Sequence, residues 1–140
     1  MIVDFRKVPT VHLPLYINEE IVETVTEYKY LGTIIDNQFN FNQNANAVYK
    51  KVNARLYFVR QLSRLNVDQK ILALFYTSIV QSVLSFSIIC WYGNCNIESK
   101  NRLTRVIKNC TKLGIVQASS LEDIYRKCTI QRCKVIMNDV

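Results

Sequence analysis

Asn44-Ala45-Asn46-Ala47-Val48-Tyr49-Lys50-Lys51-Val52-Asn53-Ala54-Arg55-Leu56-Tyr57-Phe58-Val59-Arg60-Gln61-Leu62-Ser63-Arg64 is the stretch that decides the fold class. Val48, Val52, Leu56, Val59 and Leu62 recur at spacings of three and four, which makes one apolar stripe of helical period. No glycine or proline interrupts it, so a helix from about Asn44 to Arg64 is expected. At about 100° per residue, a second face collects Asn46, Tyr49, Lys50, Asn53, Tyr57, Arg60 and Arg64. Cations interleaved with amides and tyrosines suit a phosphate backbone. The cations neutralise phosphates, the amides add neutral donors, and the rings can stack on bases or sugars. A solvated helix face with two tyrosines on its shoulder has the same pattern, so the residues leave both readings open.

Toward the C-terminus, a second helix is expected from Val67-Asp68 to Trp91, ending before Gly93. Ile71 to Gly93 carries no charge. A bilayer needs about 20 apolar residues, but Thr77, Ser78, Gln81, Ser82, Ser85 and Ser87 interrupt this run. The buried central helix of a small bundle explains it at lower cost, so a membrane partner is not the leading expectation, and a fragment anchored in a membrane through Ile71 to Gly93 stays as an alternative reading. Ser78, Ser82 and Ser85 share a face on which another backbone can approach closely. A third helix is expected over about Ile97 to Leu113, with Gly114 as its stop. Leu103, Val106, Ile107, Cys110 and Leu113 form its core stripe. Arg105, Lys108 and Lys112 line a neighbouring face, and Lys100 and Arg102 lie near its start. Ser119 or Ser120 can cap a fourth helix, with Glu122 and Asp123 in the first turn where the helix dipole favours carboxylates. Its inward residues are Leu121, Ile124, Tyr125 and Cys128.

Toward the N-terminus the pattern changes to strands. Val11 to Ile17 contains Pro14 and reads as an edge strand. Ile21 to Thr26 is a second run, and Asn18-Glu19 stands between them where a tight turn prefers Asn-Gly. Tyr28 to Ile35 reads as a third strand with Gly32 as a bulge, broken by Asp36-Asn37. The expected fold is therefore α+β. A β-rich segment, a short antiparallel hairpin or meander over residues 1–41, precedes a helical bundle of three to four helices over residues 42–140.

The net charge of +7 is uneven. Through Asn44, three basic residues face six acidic ones, for a net of −3; from Ala45 onward, fifteen face five, for a net of +10. A basic second half suits a polyanion. Catalytic patterns are hard to find. His12 is the only histidine, and no acid or nucleophile stands at motif spacing from it. The three glycines lie too far apart for a phosphate-binding loop. No carboxylate pair suits two-metal chemistry, and one histidine does not make a non-haem iron triad. Five cysteines and no secretory signal suggest reduced thiols inside the cell, nuclear or cytoplasmic. Cys90/Cys95 and Cys128/Cys133 are within zinc spacing, but nothing else has the form of a zinc ribbon. No metal, cofactor or small-molecule substrate is expected.

Three passages together resemble the C-terminal part of the reverse transcriptase of LINE-type (non-LTR) retrotransposons. Tyr28-Lys29-Tyr30-Leu31-Gly32-Thr33-Ile34-Ile35-Asp36 looks like that family's primer-grip hairpin. Lys50 through Leu62 resembles the first thumb helix. Cys90-Trp91-Tyr92-Gly93, Asn101-Arg102-Leu103 and Ile107 through Gly114 look like the rest of the thumb. Val3-Asp4-Phe5-Arg6-Lys7 is similar to the strand before the grip. The family's metal-binding Asp-Asp pair lies upstream of that strand, so the resemblance implies a non-catalytic piece. It implies that Tyr30, Leu31 and Gly32 position a primer end. Tyr49, Lys50, Lys51, Asn53, Tyr57, Arg60, Arg64, Arg105, Lys108 and Lys112 would then follow a template-primer duplex of RNA or DNA. Polymerase domains or a protein partner would complete the assembly.

Lys50 to Gly93 also looks like a segment named after the N-terminal region of AlkB homologue eight, a tRNA-modifying dioxygenase and methyltransferase. That likeness implies a helical interaction module. It implies neither chemistry, because this chain has no iron triad and no methyl-donor glycine loop.

Overall fold

The computed structural model describes residues 1–7, 11–113 and 119–139. It is an α+β fold: two short antiparallel hairpins followed by helices. β1 (Tyr16–Ile17) and β2 (Glu20–Ile21) pair in register across Asn18-Glu19. Both turn residues have positive φ, 51° and 67°, so the expected turn forms although Glu19 stands where glycine is favoured. The strands are shorter than expected: within Val11 to Ile17 only Tyr16–Ile17 pairs, and within Ile21 to Thr26 only Ile21 does. Val3 to Lys7 is not a strand either. Phe5 instead stacks on Phe39, with ring centroids 5.9 Å apart.

The expected strand from Tyr28 to Ile35 is in fact a second hairpin. β3 (Glu27–Tyr30) pairs with β4 (Thr33–Asp36). Leu31 and Gly32, at φ 45° and 90°, make a two-residue turn of the type whose twist suits a hairpin. Gly32 is thus a turn glycine and not a bulge. The positive φ favours glycine there, and a Cβ would also press on the Phe86 ring, meeting Cε1 at 3.3 Å. Gly32→Ala is expected to cost about 1.5 kcal/mol, seen as a lower urea midpoint with unchanged slope.

Helix α1 (Asn42–Arg64) is the scaffold. Val48, Val52, Leu56 and Val59 are all buried, as their spacing requires. Three asparagines in its first turns each hold a different neighbour. Asn42 Oδ1 accepts from Asn96 N at 3.1 Å, Asn44 Oδ1 from Ile34 N at 3.0 Å, and Asn46 Oδ1 from an Arg102 guanidinium N–H at 2.9 Å. Asn44 is 3% exposed, and its bond satisfies an N–H on the outer edge of β4. Asp36 completes the joint. Its carboxylate accepts from the backbone N–H groups of Gln38 and Asn40, both at 3.0 Å, and of Phe41 at 2.7 Å.

The apolar run after α1 is a bent path and not one continuous helix to Trp91. α2 (Gln69–Phe75), a π-helical turn (Tyr76–Gln81) and α3 (Ser82–Ser85) run on without a break. Phe86-Ser87 then reverses the backbone, with Ser87 at φ 49°, and α4 (Ile88–Trp91) follows. The cause of the wide turn is legible in the core residues. Leu72, Tyr76, Val80 and Leu84 are each 0–1% exposed and recur every fourth residue. A regular α-helix drifts about 40° per such repeat. One residue absorbed by the π-turn corrects that drift. The Ile79 carbonyl in this turn accepts from the Arg55 guanidinium at 2.6 Å.

Gln69–Trp91 is long and apolar enough to cross a membrane by length and composition, with mean hydropathy 1.8. Only 28% of its most apolar window is buried, and Ile71 and Leu74 are exposed. α5 (Ile97–Thr111) packs along α1, capped by Asn96, whose Oδ1 accepts from Ser99 N at 2.8 Å. The expected stop at Gly114 lies outside the described residues. α6 (Leu121–Asn138) is capped by Ser120 as expected; its Oγ accepts from Asp123 N at 3.1 Å. Leu121 and Ile124 enter the core, Tyr125 and Cys128 pack against it, and the helix from Ile130 onward is exposed.

Candidate nucleic-acid interface

The residues expected to grip nucleic acid divide among three places. Tyr49 and Asn53 of α1 face α5, where they meet Glu98, Asn101, Arg102, Arg105 and Asn109 across an open groove of about 790 Å³. Arg105, Lys108 and Lys112 are exposed along the same side of α5. Arg60 also belongs to this side. Burial pushes the Cys110 thiol of α5 up to about 11, against the opposing pull of the Arg60 charge. Lys50, Tyr57 and Arg64 are exposed on the adjoining shoulder of α1.

Lys51 belongs elsewhere. It lies about 200° around α1 from Tyr49 and lines a second groove, of about 410 Å³, with Gly32, Arg55, Ser82 and Phe86. It is therefore not part of the α1–α5 face. The grip-like residues form a third location: Tyr30 and Leu31 are 58% and 78% exposed at the tip of the second hairpin. The hairpin tip and the first groove are not brought together, although Gly32 joins the second groove.

The residue that sequence reasoning undervalued is Arg102. Its guanidinium carbon lies 4.6 Å from the Tyr49 ring centroid while one nitrogen donates to Asn46. The ring and the amide together anchor the guanidinium beside the groove. Asn101 and Asn109 were also missed. The ladder Asn101, Arg105 and Asn109, with Glu98 and Arg102 beside it, lies on one helix face at spacings of three and four, and that was the available signal.

Two carboxylates gain partners in the fold. The first is Asp36. Burial raises its pKa, but the N–H groups of Asn40, Phe41 and Gln38 outweigh that and hold the carboxyl below its usual range. His12 has an acid after all, since its Nε2 lies 3.3 Å from Asp4 Oδ2. The side-chain hydrogen bond from Arg6 and that residue's backbone N–H hold Asp4 well below the usual carboxylate range. Among the described residues no three His, Cys, Asp or Glu side chains cluster to hold a metal. Cys90 and Cys133 are exposed free thiols, and Cys95 and Cys110 are buried ones.

The comparison with known families bears on α1 and the start of the next helical run. Residues 41–82 match the family model described as alkylated DNA repair protein alkB homolog 8, N-terminal. The matched stretch runs from the left-handed Phe41 before α1 to Ser82, the residue after the π-turn, and so includes Tyr49, Asn53, Arg55 and Arg60. It excludes both hairpins, α5 and α6. No curated protein and no solved structure matches the chain.

Proposed function

We propose that this chain is a non-catalytic helical accessory module, akin over residues 41–82 to the N-terminal segment of AlkB homologue eight, and that it binds nucleic acid along the α1–α5 face. The observation that carries the reading is the convergence of Tyr49 and Asn53 from one helix with Arg102 and Arg105 from another on a single groove. Lys108, Lys112, Arg60 and Arg64 extend the positive field along both helices. Cations at the rim with amides and an aromatic inside suit a ligand that has both phosphates and bases.

The test is a salt titration of binding to short RNA and DNA oligonucleotides. Affinity is expected to fall steeply as salt rises from about 50 to 200 mM. Arg105→Glu is expected to weaken binding roughly tenfold and flatten the slope by about one ion. Binding that ignores salt, or no binding at low salt, sinks the reading. The reverse-transcriptase resemblance supplies a narrower form, with template-primer duplex as the ligand. It is supported by a tight hairpin exposing Tyr30 and Leu31 immediately before a long helix with a basic face.

A second reading, a protein-docking module inside the cell, rests on a different observation. Ile71 and Leu74 of α2 and Ile130, Ile136 and Met137 of α6 are at least half exposed. Under it the purified chain is expected to self-associate as concentration rises, measured by light scattering. A monodisperse monomer that still binds oligonucleotides favours the first reading.

A further inference from the structure

We infer that the ligand of the α1–α5 groove is an unpaired nucleotide, with its base stacked on the outer face of the Arg102 guanidinium. This rests on the nucleic-acid reading above and narrows it. Three features of the groove separate a base from a phosphate.

The first is the platform. The Arg102 guanidinium carbon lies over the Tyr49 ring at 4.6 Å, and one of its nitrogens donates to Asn46 at 2.9 Å. Arg102 is half-buried and lines the groove, and arginine planes are a recurrent stacking surface for splayed bases. Because ring and amide anchor it, little rotamer freedom remains to be lost on binding. The second is the lining. Asn53, Asn101 and Asn109 each offer an amide donor and an acceptor, the pairing that base edges require. Glu98 repels a phosphate but accepts from an exocyclic amino group. The third is shape. A groove of about 790 Å³ between two helices is the size of a small-ligand pocket. A base inside a duplex keeps both faces stacked and could reach the platform only by leaving its stack. Phosphates on either side of the base would lie against Arg105 and the outward lysines of α5.

The experiment uses the full chain with a single-stranded RNA decamer containing 2-aminopurine, compared with the same decamer fully paired. Expected are at least tenfold tighter binding of the single strand and a fluorescence change specific to it. Arg102→Lys keeps the charge and loses the plane. It is expected to weaken the single strand about tenfold, and by more than it weakens the paired form, while the salt slope stays at the parent value because the charge is retained. Asn109→Ala, at an exposed position, is expected to weaken the single strand severalfold and keeps the inference testable should Arg102→Lys fold poorly. Equal affinity for both forms with a normal salt slope overturns this inference and leaves the nucleic-acid reading standing. Wild-type behaviour of both variants also overturns it. Failure of either form to bind at low salt overturns both.

Discussion

Trp91→Ala is expected to destabilise the chain by about 4 kcal/mol, the largest single effect predicted for it. Trp91 is fully buried, and its indole N–H donates to the Phe86 carbonyl at 3.0 Å. That carbonyl lies where the backbone leaves the helical path at Phe86-Ser87, so it has lost its ordinary helical partner. Truncation therefore opens a large cavity and strands a polar group at the one sharp bend in the apolar run. The neighbours give no compensation. Tyr92 packs edge-on against the indole with centroids 6.0 Å apart, and the Cys95 thiol donates to the Trp91 carbonyl at 3.1 Å. Trp91→Phe separates the two losses. It keeps most of the volume, removes the donor, and is expected to cost about 1.5 kcal/mol. Urea unfolding followed by far-ultraviolet circular dichroism measures both. A Trp91→Ala midpoint within error of the parent would show that the bend does not depend on the indole.

The second large effect is expected at Asp36. Asp36→Ala removes the acceptor of three backbone N–H groups at the joint between the second hairpin and α1, at a cost of about 2 kcal/mol. The size is modest for three bonds because the carboxylate is partly solvated. The effect has a pH signature. The folded carboxyl titrates below its unfolded value of about 3.9. Its stabilisation is therefore complete above that value and is lost as pH falls through the lower folded pKa. The parent is expected to lose stability as pH falls below about 4, and Asp36→Ala to lose less over the same descent. Asp36→Asn keeps an acceptor without the charge and should fall between them at neutral pH. Parallel pH profiles for parent and alanine variant would contradict the assignment.

Much of the helical architecture was legible because helical period and burial are the same information. The stripes through Val48 to Val59 and Leu103 to Cys110 name the observed core, and Ser120 marks its cap. The hairpin at Leu31-Gly32 was not legible in the residue pattern, which read as one strand, although the likeness of Tyr28 to Asp36 to a primer-grip hairpin implied one. A leucine at positive φ carries no local signal, and only the packing of Gly32 under Phe86 makes the turn worthwhile. The π-turn was half legible. Leu72, Tyr76, Val80 and Leu84 recur at exact fours, a spacing that no straight α-helix can keep on one side. The site divides in the same way. Rotation about one helix axis placed Tyr49 and Asn53 together; Lys51 was wrongly grouped with them, although the same rotation sets it about 200° away, and their meeting with Arg102 and Arg105 depends on how two helices cross. Single-helix reasoning contains no such information.

The wide turn at Tyr76–Gln81 has a genetic consequence. A π-turn is what a one-residue insertion becomes when the flanking helical halves keep their facing. A chain shortened by one residue within this turn would therefore still direct Leu72 and Leu84 into the same core. What it would lose is the carbonyl of Ile79 as an anchor for Arg55. A one-residue deletion at one of these six positions that spares the core residues Tyr76 and Val80 would thus keep the facing of Leu72 and Leu84 and be felt by one arginine, and the family match ends at the residue that follows the turn.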